Sequence, residues 1–168
     1  MRPLFIVVFL VVLAAAVSSC RMDAQQPVIG SAPEYISRDS LLHSVVLLSA
    51  QPLLHPGKTI AIGNFLYINE QYKGWHIVNN SQPNSPHNSA FLNCPGAVDG
   101  TTNGQYLYTN NSNDLVIVDA SDPAHPKEAF RSQRVLNTLP STRDPMPYRI
   151  ENAIIGWHDT TFIRTQTF

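Results

Sequence analysis

The chain has 168 residues with 11 lysines and arginines against 12 aspartates and glutamates, and setting aside Arg2 leaves 10 against 12. No basic field remains to attract a phosphate backbone, which argues against nucleic acid as a partner. Its 13 prolines, with many asparagines and serines, cut the sequence into short segments, as an all-β chain with frequent turns requires.

A lone Arg2 precedes the apolar run Leu4 to Val17, whose 14 residues fall short of the roughly 18 to 20 that cross a bilayer. Residues 1–19 therefore read as an export signal. Val17-Ser-Ser-Cys20 then resembles the lipobox of bacterial lipoproteins, in which the cysteine becomes the new N-terminus and carries acyl chains. The plainer reading is an ordinary signal peptide cut near Ser19. Lipidation at Cys20 would anchor the chain in a membrane, each buried methylene contributing about 0.8 kcal/mol. Arg21, where an aspartate is associated with inner-membrane retention, points toward the outer membrane or cell surface. Acylation of Cys20 would leave Cys94 without an intramolecular partner, so no disulfide supports the fold.

Residues 20–40 have no sustained apolar period and read as a flexible tether, with ordered structure expected from near Leu41. The segment Leu41 to Leu48 fits a helix or a buried strand, and two adjacent valines favour strand.

A duplication follows. Gly63-Asn-Phe-Leu-Tyr67 returns as Gly104-Gln-Tyr-Leu-Tyr108, Gly74-Trp-His-Ile-Val-Asn79 as Asp114-Leu-Val-Ile-Val-Asp119, and Ser81-Gln-Pro83-Asn-Ser-Pro86 as Ser121-Asp-Pro123-Ala-His-Pro126. The offset is 41 residues at the glycines and 40 at the prolines, within the range of about 40 to 45 expected for a four-stranded propeller blade. Gly63-Asn64 and Asn103-Gly104 tolerate positive φ and predict tight hairpins. Trp75 to Val78 and Leu115 to Val118 predict short strands buried on both faces, ended by Asn79 and Asp119. Each Pro-x-x-Pro keeps the chain out of the ladder before a last strand near Ser89 to Leu92 or Glu128 to Arg131. The blade-like units are expected at about 57–95 and 96–135, within a repeat region of 41–140.

Leu115-Val-Ile-Val-Asp119 spells the motif of the LVIVD-repeat proteins, and Ser121-Asp-Pro123-Ala-His-Pro126 is similar to their usual continuation. Gly74 to Pro83 looks like a diverged copy, and Cys94-Pro-Gly-Ala-Val-Asp99 resembles the approach to the next blade. The resemblance implies a bacterial, lipid-anchored envelope protein with propeller-like antiparallel β repeats and no shared catalytic motif. That agrees with the reading of Cys20.

From Cys20 to Phe168 there is room for at most about three and a half such units, whereas closed propellers have about four to eight. Tyr148, 40 residues after Tyr108, and Gly156-Trp-His158, 82 after Gly74-Trp-His76, suggest an eroded third copy in 141–168. Truncation, an open arc of sheets and a ring completed by a second molecule are the three explanations, and truncation is favoured.

No catalytic constellation is legible. His43, His55, His76, His87, His125 and His158 form no His-x-His or His-Glu-x-x-His pattern, and no Cys-x-x-Cys occurs, so no metal or other cofactor is expected. His87 and His125 read as solvated loop residues, and His76 and His158 as packed or surface residues. Asn110 to Asp114 lacks the calcium-loop pattern and reads as a solvated hairpin tip. Asp99, Asp119 and Asp122 read as turn caps, and Cys94 as a small buried residue. Trp75, Trp157, Tyr72, Tyr106 and Tyr108 could stack on sugar rings, but core packing is the stronger expectation. The function expected is thus a non-enzymatic, lipid-anchored scaffold for an envelope protein or a glycan; the alternative is a truncated portion of a propeller enzyme whose site lies in missing blades.

Overall fold

A computed structural model describes residues 26–141 and 152–164. The expected export signal and Cys20 lie outside the described residues. Among those residues, eleven strands and one short helix form three sheets. In chain order they are β1 (Gln26–Ile36), α1 (Arg38–Leu42), β2 (Val46–Ser49), β3 (Pro56–Ile62), β4 (Phe65–Glu70), β5 (Gly74–Asn79), β6 (His87–Asn93), β7 (Gly100–Asn103), β8 (Tyr106–Asn111), β9 (Asp114–Asp119), β10 (Lys127–Ser132) and β11 (Ala153–Arg164). The chain divides into two compact units, one of residues 30–160 and another whose described residues are 26–29 and 161–164.

Each repeat folds into an antiparallel meander, β3-β4-β5-β6 in the first and β7-β8-β9-β10 in the second. The correspondence extends to single hydrogen bonds. Two-residue hairpins join β3 to β4 and β7 to β8, with Gly63 at φ 56° and Gly104 at φ 62°, where a side chain would be strained. The second hairpin turns on Gly104-Gln105 and not on Asn103-Gly104, because Asn103 is still paired with Tyr106. After the third strand, Asn80 N–H donates to Asn64 O at 2.8 Å and Ala120 N–H to Gln105 O at 2.9 Å. In the Pro-x-x-Pro loops Ser85 N–H donates to Gln82 O, and His125 N–H to Asp122 O. Both last strands bulge at the same place, Ser89 in β6 and Ala129 in β10, where the register skips one residue.

Three expectations are corrected. Residues 26–36 form β1, which pairs with β11 in a two-stranded sheet, so the tether reading does not hold there. Val28 and Ile29 supply β propensity, but the partner strand lies more than a hundred residues away and no local pattern signals it. Leu41 to Leu48 is split: α1 is capped by Ser37, whose side chain accepts from Ser40 N–H, and β2 begins at Val46. Strand β2 then pairs with β6 and gives the first sheet a fifth strand, order β2-β6-β5-β4-β3. Finally, in the region of the eroded third copy the described residues 153–164 form the single strand β11. Tyr148 lies outside the described residues.

Register and burial assign each sheet two faces. On the first sheet Tyr67 pairs with Ile60 and Ile77, and Ile77 with Ala90; with Ile62, Trp75 and Leu92 they make a front face, all of it buried. The back face of the second sheet carries Leu107, Thr109, Val116 and Val118, also buried. These two faces share one core, to which Cys94, Ala97 and Ala120 add. Two hydrogen bonds cross it: Tyr67 Oη donates to Pro123 O at 2.7 Å and Trp75 Nε1 to Thr109 Oγ1 at 3.0 Å. A Cβ placed on Gly100 would stand 2.7 Å from the Trp75 ring, so only glycine admits the indole at this point. The sheets are stacked front to back.

Candidate functional site

The stack leaves two outer faces, of which the front of the second sheet is the more open. On the front of the second sheet Tyr108 pairs with Ile117 and Ile117 with Phe130, while Tyr106 and Leu115 lie on the same side. Their counterparts in the first sheet, Tyr67, Ile77, Ala90, Phe65 and Trp75, sit in or against the core. Here Tyr108, Leu115 and Ile117 are half-buried, and Phe130 is 56 % exposed. The chain after β10 covers part of this face, with Leu139 buried and Leu136 exposed. A cavity of about 440 Å³ opens between that chain and the sheet, walled by Tyr108, Leu115, Leu136, Leu139, Val98 and Lys58. Lys58 Nζ pairs with Asp99 Oδ1 at 3.0 Å beside it.

The other outer face is the back of the first sheet, where His76, Val78 and Phe91 are buried and Leu66 and Ile68 are half-buried. One corner holds a buried polar group that no local sequence signal marked. Glu70 Oε2 lies 3.0 Å from His76 Nε2 and accepts from Leu54 N–H, and Oε1 accepts from His55 N–H. Burial alone would raise the Glu70 pKa, but the Leu54 amide, His76 and the His55 amide hold it below the ordinary carboxylate value. The other ring nitrogen of His76, Nδ1, is buried without a hydrogen-bond partner. The imidazole is fully buried, with Phe91 edge-on at 4.9 Å between ring centroids. The pair pins the loop carrying Leu54 and His55 over the sheet. A cavity of about 400 Å³ lies under that loop, walled by Leu48, Pro52, Leu54 and Phe91 besides the polar pair.

The second repeat carries a different polar cluster at the same corner. Asn111 and Asp114 replace Glu70 and Gly74, and Asp114 is fully buried. Arg38 of α1 and Arg131 of β10 reach it at 2.8 and 2.9 Å, and Arg134 N–H donates to it. Burial pushes the Asp114 pKa up, but the Arg134 amide and the two guanidiniums outweigh it and hold the carboxyl low. Neighbouring Asn110 clamps the turn between the sheets. Its amide donates to Gly96 O and Ser112 O, and its oxygen accepts from Val98 and Asp99 N–H. The solvated-tip reading of Asn110 to Asp114 is therefore corrected: Asn110, Asn111, Ser112 and Asp114 are all buried. Repeated oxygen side chains signal a turn, but which strand they clamp is set by tertiary contact.

The remaining candidates fall into place. His87 and His125 are exposed, and His125 pairs with Asp122 at 2.9 Å. His76 is packed, and His158 is exposed near Glu34. Asp119 accepts from Ser121 N–H as Asn79 does from Ser81, Asp122 accepts from Ala124 N–H, and Asp99 from Gly100 N–H: each caps its own turn. Cys94 is buried, and loss of solvent pushes its thiol pKa to about 12, so no thiolate is available. Among the described residues no group of three or more His, Cys, Asp or Glu side chains could hold a metal ion. Trp75 is core, whereas Tyr72, Tyr108 and Trp157 are half-buried and Tyr106 is 36 % exposed. Of the five aromatics, Tyr106 and Tyr108 share the open front face.

The duplicated hydrogen bonds and bulges make the two sheets copies of one unit. The LVIVD repeat matches residues 58–90 and 99–133. Those two segments are similar to the LVIVD repeat. The two matched segments hold the strands β3 to β6 and β7 to β10 almost entirely, so the LVIVD repeat corresponds to one meander. No curated protein and no solved structure matches the chain.

Proposed function

We propose that this chain is a lipid-anchored cell-envelope protein, probed from its outer-membrane or surface side, whose stacked sheets act as a non-catalytic scaffold binding an envelope protein or a glycan. The observation that carries the reading is the open front face of the second sheet, where Tyr106, Tyr108, Ile117 and Phe130 repeat a core pattern without a core over it. A cluster of exposed aromatic and aliphatic side chains on a soluble sheet marks an interaction site. Supporting the anchor is the run from Leu4 to Val17 with Cys20 directly after two serines.

Two experiments test the two halves. Mass spectrometry of the mature N-terminus should find Cys20 acylated; an unmodified cysteine, or cleavage elsewhere, removes the anchor. A photo-crosslinking residue at position 106 in cells should yield an adduct with an envelope protein or glycan, and one at the loop position 82 should not. Equal labelling at both positions, or none at 106, contradicts the binding surface. Hydrolase or oxidase activity in the purified full-length chain would contradict the non-catalytic role.

A further inference from the structure

The first repeat departs from the second at two buried positions. His76 stands where the second repeat has Val116, and Glu70 where it has Asn111. Val116 is covered by the first sheet as part of the shared core, whereas His76 lies under the loop from Gln51 to His55, beside the cavity of about 400 Å³. In the second repeat Arg131 takes the place of Phe91 and reaches Asp114 at 2.9 Å, so an ion pair closes the equivalent corner. We propose that the cavity of the first repeat binds a compact apolar molecule carrying one hydroxyl group, with its body against Leu48, Pro52, Leu54 and Phe91 and its hydroxyl on His76 Nδ1. This site is separate from the front face of the second sheet.

Two features of the cavity point to such a ligand. The first is an orphaned polar atom: His76 is fully buried, its Nε2 is engaged by Glu70 Oε2 at 3.0 Å, and its Nδ1 has no hydrogen-bond partner. A buried nitrogen left unpaired is costly, and folded proteins satisfy nearly all such atoms. A hydroxyl suits Nδ1 in either state of the ring, donating to a neutral imidazole or accepting from an imidazolium. The second feature is uncovered apolar surface at the rim. Leu48 and Leu54 wall the cavity, yet they are 40 % and 70 % exposed. An apolar body seated between them and Phe91 would take that surface out of water. The volume lies within the range of about 300 to 1,000 Å³ usual for small-molecule sites.

The charge of the ligand is limited by Glu70. Its side chain is only 7 % exposed and walls the same cavity, so a carboxylate brought beside it would be repelled. Lys73 at the rim does little to offset this, being 65 % exposed and 4.0 Å from Glu34.

Three probes with one apolar body separate these contributions: 2-naphthol, naphthalene and 2-naphthoate. In equilibrium dialysis of the full-length chain against the same detergent solution, 2-naphthol should bind saturably, and the other two about tenfold or more weakly. His76→Phe should abolish the preference for 2-naphthol over naphthalene. Leu48→Glu, a change at an exposed rim position, should weaken 2-naphthol about tenfold or more. Circular dichroism checks folding, and if His76→Phe does not fold, the probe series on the wild type and Leu48→Glu decide the matter. Absence of saturable 2-naphthol binding, equal affinity for the three probes, or a hydroxyl preference that survives in folded His76→Phe overturns the proposal. Binding indifferent to Leu48→Glu places the ligand elsewhere and overturns it as well. Crosslinking at position 106 reads the front face, so that reading stands or falls apart from this one.

Discussion

Ala90 and Phe130 occupy the same position on two copies of one sheet, opposite Ile77 and Ile117, yet the alanine is buried and the phenylalanine lies in the open. Tyr67 and Tyr108 repeat the contrast: one is sealed and bonded to Pro123, the other half-buried. Strand conformation, register and bulge are the same in both sheets, so local sequence builds the unit. What differs is whether another sheet stacks in front, and that decides which side chains become core. A repeat of this kind cannot hide its apolar face alone; neighbours complete it.

The comparison can be broken hardest at Trp75. Trp75→Ala should destabilise the chain by about 3 to 5 kcal/mol in urea unfolding, because it empties the centre of the shared core. Leu115→Ala, at the matching position on the open face, should cost about 1 kcal/mol. Equal losses would mean that the two faces are equally buried.

Asp114→Ala comes next, at about 3 kcal/mol, since it strands Arg131 and Arg38 around a site from which the charge has gone. The same carboxylate gives a pH signature. Its folded pKa lies below its unfolded value of about 3.9, so the stability it adds is present above that pH and is lost as pH falls through the folded pKa. Asp114→Asn should flatten the acid limb of a stability titration, and Glu70→Gln should do so in the first repeat for the same reason. An unchanged acid limb in both would show that these carboxylates are not preferentially ionised in the fold.

Smaller effects sharpen the likeness between the sheets. Gly63→Ala and Gly104→Ala should each cost about 1 kcal/mol through the left-handed backbone alone, because a Cβ meets no atom within 4 Å at either. A difference between them beyond about 0.5 kcal/mol would show that the hairpins are not equivalent. Smallest of all is the tyrosine pair. Tyr67→Phe removes a buried hydrogen bond worth about 1 kcal/mol, and Tyr108→Phe should leave the stability of the monomer within about 0.5 kcal/mol.

Much of the unit was legible because its signals are local. The glycines mark the hairpins, Asn79 and Asp119 end the third strands by capping their own turns, and each Pro-x-x-Pro interrupts the ladder before the last strand. What escaped is non-local. Nothing in Gln26 to Ile36 announces that β11 will pair with it, and Val45-Val46 favours strand without showing that Ser37 caps a helix just before. Glu70 carries no local signal, because a single acidic residue at a strand end looks solvated. Its burial follows from the loop laid over it, whose Leu54 and His55 amides need an acceptor. Asn110 escapes for the same reason: asparagines near a hairpin usually meet water, but here the turn from Gly96 to Asp99 supplies the partners.

The front-to-back stacking of the two repeats is tested most directly by a double-mutant cycle between Trp75 and Thr109, whose side chains meet only if the sheets are stacked. Trp75→Phe and Thr109→Val, measured singly and together by urea unfolding, should show a coupling of about 1 kcal/mol. Strict additivity of the two losses would contradict the stacked arrangement.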